Sequence, residues 1–257
     1  MTGEARRTLF GVAVNNLTMA EAIAAIERLV ELGRPSLIVT PNTQHIVLLQ
    51  KPGDFRSAYR AAALVLADSV PLVRVSRLLG VPLKERVAGA DVMPGLCRAA
   101  AEKRYRVFLL GAAPGVGEKA AAVLNARHPN LVVAGTFCPP WGFEADPGAN
   151  AAAVRAVRAA APDVLFVALG TPKGEVWAWK NLADLNVPAT LCVGASFDFI
   201  AGVQKRAPRW VQQAGFEWAY RLAHDPRRLW RRYLIGNARF LVLTLRALLG
   251  LDRGRSF

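Results

Sequence analysis

The chain has 257 residues, of which 53% are hydrophobic and 20% charged, and its formal net charge is +14. This apolar content supports a packed core and excludes general disorder, and the length fits one large α/β domain or two small ones. The N-terminus lacks the apolar core of a signal peptide, and no run of about 18 apolar residues is free of charge, so we expect neither secretion nor a membrane span.

Short apolar runs bounded by turn residues alternate along the chain with alanine-rich segments of helical period. This alternation is typical of repeated βα units, and it predicts an α/β fold with a Rossmann-like, mostly parallel sheet flanked by helices. The predicted strands are Leu9–Val14, Ser36–Val39, Leu64–Ala67, Arg106–Leu110, Leu131–Ala134, Val164–Leu169 and Ala189–Val193. The predicted helices are Met19–Leu32, Thr43–Gln50, Asp54–Ala62, Val70–Leu79, Ala90–Lys103, Val116–Arg127, Ala149–Ala160, Gly174–Leu185 and Pro208–Leu222.

The last fifth of the chain is basic and predicts a helical appendage. From Val203 to Phe257, 12 lysines and arginines exceed 3 acidic residues by nine. After Pro226, the segment Arg227–Leu249 has the pattern of one amphipathic helix. In a straight helix four of its arginines share a sector of about 40°: Arg228, Arg232, Arg239 and Arg246. We therefore divide the chain into a body, residues 1–202, and an appendage, residues 203–257, suited to an anionic partner, either nucleic acid or a membrane surface.

The loops that follow the predicted strands hold the candidate site residues, because ligands of open α/β sheets bind at the carboxyl ends of strands. Thr40 and Asn42 stand in a polar run that suits either a polar ligand or a helix cap. Asp68, directly after the next strand, suits either a general base or the N-cap of the helix that follows. The residues alone leave both alternatives open.

Three later loops have the same placement. Gly111 and Ala112 begin a glycine-rich turn whose backbone N–H groups could hold a diphosphate at a helix N-terminus. Lys173 could meet a phosphate and Glu175 could orient a hydroxyl, although both could equally be solvated charges of a helix start. Asp198, between two phenylalanines, suits contacts to ribose or base hydroxyls.

Neither cysteines nor histidines form a metal-binding pattern. The three cysteines (Cys97, Cys138 and Cys192) are far apart and favour reduced thiols of a cytosolic protein over a disulfide framework or a zinc site. The three histidines are isolated, and no GxSxG motif is present. We therefore expect no metal cofactor and no covalent nucleophile.

Taken together, these loops resemble the WecG/TagA/CpsF family of bacterial glycosyltransferases (glycosyltransferase family 26). The matching stretches are VTPNTQH, LADSVPLV, RVAGADVM, LLGAAPGV, ALGTPKGEVW, VGASFDFIAG and KRAPRWVQQAGFEWAYRLAHDPRRLWRRY. The last stretch is the most specific, and the similarity extends in the same order from about Phe10 to Phe240.

The resemblance implies an inverting, metal-independent transfer. The donor would be a UDP-sugar carrying N-acetylmannosamine, its uronic acid or glucose. The acceptor would be a polyprenyl-diphosphate-linked sugar used in cell-surface polysaccharide or teichoic acid assembly. The enzyme would be cytoplasmic and bound peripherally to the inner face of the membrane, and the basic segment Arg221–Arg239 would dock there and close over the site.

Roles for individual residues follow from the same resemblance. Asp68 corresponds to the catalytic base, and Thr40 and Asn42 correspond to residues of the substrate pocket, so we expect these three to be the catalytic residues. Arg86 corresponds to an arginine that contacts substrate or phosphate.

Beyond the resemblance, an inverting transfer without a metal leads us to expect that Gly111 and its helix start meet the diphosphate and that Asp198 and Phe137 hold the nucleoside. The full set of expected substrate-binding residues is Arg86, Gly111, Ala112, Phe137, Lys173, Glu175, Asp198, Arg206 and Arg221.

Two departures from the family pattern keep other functions open. Ser69 stands where a glycine is common, and Gly174 replaces a glutamine, so a non-catalytic relative that binds UDP-sugar or lipid is one alternative.

A nucleic-acid-binding protein is another alternative, but the basic residues lie in an Arg/Leu/Trp helix rather than among exposed stacking aromatics, and we expect no nucleic acid partner. A nicotinamide-dependent oxidoreductase is disfavoured by the incomplete glycine fingerprint. Self-association is compatible with the apolar helix faces.

Overall fold

The computed structural model describes residues 6–251, with the side chain of Arg228 left out of the description. The described part does not include residues 1–5 of the predicted body or residues 252–257 of the predicted appendage. It also does not include the side chain of Arg228, which the sequence placed in a sector of four arginines. The strands are β1 (Arg6–Leu9), β2 (Val12–Asn15), β3 (Leu37–Val39), β4 (Leu64–Val65), β5 (Arg106–Gly111), β6 (Val132–Phe137), β7 (Val164–Ala168) and β8 (Ala189–Cys192).

The six strands β3 to β8 form one parallel sheet in the order β4-β3-β8-β7-β5-β6, which confirms the predicted α/β class. The flanking helices are α1 (Met19–Leu32), α2 (Thr43–Leu49), α3 (Asp54–Ala61), α4 (Val70–Leu78), α5 (Gly89–Lys103), α6 (Val116–Arg127), α7 (Pro147–Ala160), α8 (Lys173–Lys180), α9 (Leu182–Leu185) and α10 (Ser196–Ile200). The C-terminal helices are α11 (Arg209–Ala214), α12 (Glu217–His224), α13 (Pro226–Trp230) and α14 (Gly236–Leu248).

Successive residues of the central strands face two different apolar cores. In β7, Val164 and Phe166 join the core that holds α1, α5 and α6, while Leu165 and Val167 join the core that holds α2, α3 and α7. All four side chains are buried. Both faces of the sheet are therefore covered by helices, as expected for a parallel sheet whose strands are continuous apolar runs.

Local capping explains where the first helix begins and ends. The Thr18 hydroxyl accepts from the Glu21 N–H at 3.3 Å, and the Glu21 carboxylate accepts from the Thr18 N–H at 2.7 Å, which together form a capping box. Gly33, with φ of 67°, ends the helix in the left-handed conformation that glycine adopts at no cost. The predicted bounds of this helix are confirmed.

The predicted strand Leu9–Val14 is wrong, because two strands form a hairpin there. Phe10 and Gly11 have φ of 51° and 80°, and this pair of positive angles makes the two-residue turn that suits a twisted hairpin. Asn15 at the end of β2 accepts a hydrogen bond from the backbone N–H of Val65 at 2.9 Å. The hairpin thus covers the edge of the sheet at β4.

Several predicted helices differ in their bounds or are divided. The predicted helix Gly174–Leu185 is two helices, α8 and α9, and Pro208–Leu222 is interrupted by Gly215, which has φ of 83°. The short helix α10, Ser196–Ile200, has no counterpart among the predicted helices. Such breaks depend on single left-handed residues, which hydrophobic periodicity does not report.

The C-terminal segment is helical as predicted, but a π turn at Arg231–Ile235 separates α13 from α14. A π turn changes the angular register of the helix, so Arg232 does not share the sector that a straight helix would give it with Arg239 and Arg246. The Arg228 side chain, the fourth member of the predicted sector, lies outside the described part. Arg232 is half-buried in a cleft, whereas Arg239 is exposed. No helix of the described residues is long and apolar enough to cross a membrane.

The C-terminal helices pack directly on the body of the protein. The rings of Phe240 in α14 and Phe10 in the hairpin turn are 5.5 Å apart, and both Leu229 and Phe240 are buried. On the other side, the Arg74 guanidinium donates to the carbonyl of Ala214 at 3.0 Å. A cleft remains between these helices and the carboxyl edge of the sheet.

Candidate active site

Four of the predicted site residues line this cleft together: Asn42, Asp68, Arg86 and Arg221. Asn42 and Asp68 follow the neighbouring strands β3 and β4, Arg86 precedes α5, and Arg221 belongs to α12. The cleft therefore brings Asn42 together with Arg221, which is 179 positions later in the chain. The site depends on the packing of the C-terminal helices against the sheet.

Asn42 caps a helix and also lines the cleft. Its side-chain oxygen accepts from the backbone N–H groups of Gln44 at 3.0 Å and of His45 at 3.3 Å, which makes it the N-cap of α2. The two alternatives left open for this residue are thus compatible. Thr40, in contrast, is buried below the cleft, where its hydroxyl donates to the carbonyl of Cys192 at 3.3 Å. A catalytic role for Thr40 stays a prediction.

The carboxylate of Asp68 is not used as a helix cap. Ser69 caps α4 instead, since its hydroxyl accepts from the backbone N–H of Leu72 at 3.4 Å. The backbone N–H of Asp68 donates to the carbonyl of Pro41 at 2.9 Å, which holds the two loops together. No hydrogen bond reaches the Asp68 carboxylate from any other residue of the described chain, so this group is left to face the cleft.

Burial raises the pKa of Asp68 from 3.8 to about 8. The negative charge of Glu217 raises this pKa further, while the positive charge of Arg86 lowers it. A carboxyl group with a raised pKa, in a cleft that also holds charged partners, has the properties of a general acid or base.

An ion cluster surrounds Asp68 on the side of the C-terminal helices. Asp91 receives hydrogen bonds from Arg86 at 2.6 Å and from both terminal nitrogens of Arg206 at 2.5 and 2.9 Å. Glu217 lies 3.5 Å from Arg86 and 3.9 Å from Arg206. The two carboxylates fix the two guanidinium groups, and they bind the body to the segment that precedes and includes α12. Arg206 does not line the cleft itself.

A buried chain of polar side chains connects α2 to the loop after β7. The Thr171 hydroxyl donates to Glu175 Oε1 at 3.0 Å and contacts His45 Nε2 at 2.7 Å. When Glu175 is ionised, the Thr171 hydroxyl donates its hydrogen bond to the carboxylate; His45 Nε2 then carries the hydrogen that the Thr171 oxygen accepts, and His45 Nδ1 accepts from the hydroxyl of Tyr59 at 2.6 Å. The chain therefore runs in one direction, from Tyr59 through His45 and Thr171 to Glu175.

Glu175 is not a solvated charge at a helix start, which was the alternative to its predicted role. Its side chain is buried, and Oε2 has no hydrogen-bond partner among residues 6–251. Burial raises the pKa of Glu175 to about 7, and burial with the nearby charge of Arg232 lowers the pKa of His45 to about 3. The 4.0 Å contact between these two side chains is thus not an ion pair, because the histidine is neutral.

The other predicted residues stand at the carboxyl ends of strands β5 to β8, outside the lining of the cleft. Gly111 ends β5, with φ of 106°, and a Cβ there would lie 2.7 Å from the carbonyl oxygen of Ala168, so only glycine fits. Ala112 also has a positive φ, 63°. Phe137 ends β6 and packs against the core, and Asp198 lies in α10.

Lys173 is held in a small cluster at the same edge of the sheet. Its ammonium group lies 2.6 Å from the carboxylate of Glu144 and 4.4 Å from the centre of the Trp141 ring. The Trp141 side chain is 96% exposed. The structure thus places Lys173 beside an open aromatic surface rather than in the cleft.

Sequence reasoning missed several residues of the cleft. Glu217, in the stretch GFEWAYRL, lines the cleft, whereas Asp91, in RVAGADVM, lies outside the lining and contacts Arg86 and Arg206. The other missed residues lie on the C-terminal helices: Trp218, Arg232, Tyr233 and Asn237. They enter the cleft through the break at Gly215 and the π turn, and neither feature is visible as hydrophobic periodicity.

The described residues contain no group of three or more histidine, cysteine or acidic side chains that could hold a metal ion. The positive charges in the cleft are arginines. A comparison with protein families matches residues 7–254 to the Glycosyl transferase WecG/TagA/CpsF family. The chain belongs to this family.

Three relatives of this chain share one name. The N-acetylglucosaminyldiphosphoundecaprenol N-acetyl-beta-D-mannosaminyltransferase of Bacillus subtilis strain 168 is 31% identical over 77% of this chain and 75% of its own length. The enzymes of the same name from Bacillus spizizenii (33% identity, 77% and 75%) and Staphylococcus aureus MRSA252 (28%, 88% and 88%) are similar. The chain is accordingly a glycosyltransferase.

The WecG/TagA/CpsF resemblance places a glutamine where this chain has Gly174. Gly174 is buried near the start of α8, and a Cβ built there would meet its nearest neighbours, in Leu169 and Val167, at 3.6 and 3.7 Å, which are ordinary contacts. Its φ is not positive. The backbone therefore does not require glycine at this position, and the missing amide is a difference in side-chain chemistry only.

Proposed function

We propose that this glycosyltransferase moves a hexose or N-acetylhexosamine-type sugar from a UDP-sugar to a polyprenyl-diphosphate-linked sugar, with inversion at the anomeric carbon. The sugar is N-acetylmannosamine, its uronic acid or glucose, and the product serves cell-surface polysaccharide or teichoic acid assembly. One observation carries the proposal: the Asp68 carboxylate does not cap a helix, has a raised pKa, and lies in a cleft that is also lined by Arg86 and Arg221. The activity for which the relatives are named supports the acceptor class.

Asp68 acts as the general base. Its ionised carboxylate takes the proton of the acceptor hydroxyl as the oxygen forms a bond to the anomeric carbon. The bond from that carbon to the UDP oxygen breaks with its electron pair, so UDP leaves as an anion on the opposite face. A raised pKa suits this role, because a more basic carboxylate accepts a proton more readily.

The charge of the leaving diphosphate is met by arginines and by a helix N-terminus rather than by a metal ion. Arg86, Arg221 and Arg232 line the cleft. Helix α6 starts after Gly115 and has no side-chain cap, so its first backbone N–H groups are presented to the carboxyl edge of the sheet. The absence of a side chain at Gly111 lets the chain after β5 pass close to the carbonyl of Ala168 at the end of β7. Fixed charges of this kind stabilise a departing anion without reorganisation.

The lipid-linked acceptor reaches the cleft from an anionic membrane surface. The outward side of α14 exposes apolar side chains, with Arg239 exposed beside them: Leu241, Val242, Leu245 and Leu248. Apolar and basic side chains on one helix are typical of peripheral binding to anionic lipid. This helix continues from the π turn that supplies Arg232 and Tyr233 to the cleft, so the binding surface adjoins the site. A second copy of the chain would compete for the same surface.

The proposal is tested by transfer from UDP-N-acetylmannosamine, its uronic acid and UDP-glucose to a lipid-diphosphate-linked N-acetylglucosamine. We expect one donor to be used, and Asp68→Asn to lower kcat by about 10²–10⁴-fold. Asp184→Asn, an exposed carboxylate on α9, is the matched control and should keep full activity. A loss below about tenfold for Asp68→Asn would refute the base assignment.

Stability separates this result from simple misfolding. A carboxyl whose folded pKa is above its unfolded value adds stability below the unfolded pKa, and this stability is lost as pH rises to the folded pKa. For Asp68 the interval runs from 3.8 to about 8. Asp68→Asn should therefore gain Tm relative to the wild type as the pH is raised across this interval. A UDP-selective thermal shift without turnover of any donor would favour the non-catalytic relative.

A further inference from the structure

The aromatic ring of Phe199 contacts two arginines of the C-terminal segment. The guanidinium carbons of Arg206 and Arg221 lie over this ring, at 5.9 and 5.7 Å from its centre. Phe199 belongs to the short helix α10 and is half-buried, whereas Phe197 on the same helix is completely buried in the core. Core packing therefore accounts for Phe197, and the accessible part of the Phe199 ring is used by the two arginines.

The two arginines differ in how else they are held. Arg206 donates two hydrogen bonds to the carboxylate of Asp91, at 2.5 and 2.9 Å. Arg221 lies in the last turn of α12, and its Nε is buried without a hydrogen-bond partner. Among residues 6–251, the contact with the Phe199 ring is the side-chain interaction that the structure shows for its guanidinium. The ring thus orients Arg221, while Asp91 orients Arg206.

An aromatic ring holds an arginine differently from a carboxylate. The negative face of the ring attracts the cation, and the attraction is stronger where water is partly excluded. The ring carries no net charge and does not accept the in-plane N–H groups as a carboxylate does, so these donors stay available to an anion. Arg221 lines the cleft, and Phe199 does not belong to the cleft lining.

We propose that Phe199 is a positioning residue that fixes the guanidinium of Arg221 toward the diphosphate of the UDP-sugar. It acts through Arg221 and does not touch the reacting atoms. The ligand named here rests on the proposed function, but the contact between ring and guanidinium does not. The invariant part of the inference is that the orientation of Arg221 depends on the electron density of the Phe199 ring.

The first test measures the affinity of the full chain for UDP by calorimetry at constant ionic strength. Phe199→Leu keeps an apolar side chain but removes the ring, and we expect it to weaken UDP binding about three- to fivefold, as for one partly exposed cation–π contact. Phe199→Tyr keeps the ring and should keep the affinity. In an Arg221→Gln background, Phe199→Leu should cause no further loss. An equal loss in both backgrounds would overturn the proposal.

Fluorinated phenylalanines separate the charge distribution of the ring from its shape. Mono-, di- and trifluorinated phenylalanine at position 199 withdraw electrons from the ring face with little change in size, so UDP binding should weaken at each step. The same series at Phe166, which is completely buried in the core, is the matched control and should show no such trend. A constant affinity across the series at Phe199 would also overturn the proposal.

Chemical modification tests the contact without any ligand. Phenylglyoxal should modify Arg221 faster in Phe199→Leu than in the wild type, as read by mass spectrometry, and should modify Arg206 at an unchanged rate because Asp91 still holds it. Equal acceleration at both arginines would indicate a general loosening of the C-terminal segment and would refute the positioning role. A wild type that binds no UDP would refute the donor of the proposed function, while the modification rates would still decide the role of Phe199.

Discussion

Exchange of Glu217 for glutamine should move the pH dependence of catalysis to lower pH. Asp68 must be ionised to accept a proton, and its pKa is raised to about 8 by burial first and by Glu217 second. Since kcat/KM reports the ionisation of the free enzyme, we expect the wild type to reach half its plateau near the pKa of Asp68. Glutamine keeps the size and the acceptor oxygen of Glu217 but removes the charge.

The size of the shift follows from Coulomb's law. Glu217 lines the same cleft as Asp68 and lies 3.5 Å from Arg86. At an effective dielectric constant of about 20, a unit charge about 10 Å away contributes about 1.7 kcal/mol. One pKa unit corresponds to about 1.36 kcal/mol. The half-maximal pH of Glu217→Gln should therefore fall by about one unit, while the desolvation of Asp68 keeps it well above the value of an exposed aspartate.

The assay is release of UDP between about pH 6 and about pH 9.5, at low donor concentration so that the rate reports kcat/KM. Glu102→Gln removes an equal charge from an exposed position on α5 and should leave the profile unchanged. Glu175 also titrates in this window, but Glu217 is not among the charges that shift it, so a moved profile assigns the limb to Asp68. An unchanged profile in Glu217→Gln would refute the electrostatic argument.

Two further outcomes test other parts of the molecule. Thr171→Val removes the hydroxyl that donates to Glu175, which should cost about 1–3 kcal/mol and more above the Glu175 pKa of about 7 than below it, because the ionised carboxylate is then the unpaired form. Thermal melts at pH values below and above the Glu175 pKa check this, and Thr171→Ser, which keeps the hydroxyl, should retain the wild-type stability. Arg239→Gln on α14 should weaken binding to anionic vesicles about fivefold, since one arginine near such a surface contributes about 1 kcal/mol. Equal sedimentation of Arg239→Gln and of the exposed control Arg98→Gln would argue against α14 as the binding surface.

Most of the sheet could be predicted from the sequence, because its strands are continuous apolar runs followed by polar or glycine-rich turns. β7 shows this clearly, because Val164 to Val167 are all buried, and a short continuous apolar run is typical of a parallel strand covered on both faces. The hairpin was missed because Phe10 is an apolar residue typical of a strand, although it adopts a φ of 51° and forms the turn together with Gly11. Periodicity reports which face a side chain occupies but not a single left-handed residue.

In the candidate site, too, the sequence predicts which residues follow the strands but not the local geometry that exposes or buries them. Asp68 could be found because it follows a strand, yet its freedom from capping depends on which of two adjacent residues takes the cap, and Ser69 takes it. For Glu175 the sequence left open a residue that orients a hydroxyl and a solvated charge at a helix start, and the structure buries it beside Thr171 and His45. Arg232 reaches the cleft only because a π turn rotates the helix, and the assumption of a straight helix could not reveal this.

The electrostatics of the cleft depend on both parts of the chain. Asp91 in the body holds Arg206 before the C-terminal helices, and Glu217 on α12 lies beside Arg86 of the body. The C-terminal segment therefore acts on Asp68 in two opposing ways: its packing and Glu217 raise the pKa, while Arg206 lowers it. Detachment of these helices would expose Asp68 and remove Glu217, which returns the pKa toward that of an ordinary aspartate. It would also remove Arg221 and Arg232 from the cleft. In the proposed mechanism, a carboxylate of raised pKa and the full set of cleft arginines are therefore present together only when the C-terminal helices are packed against the sheet.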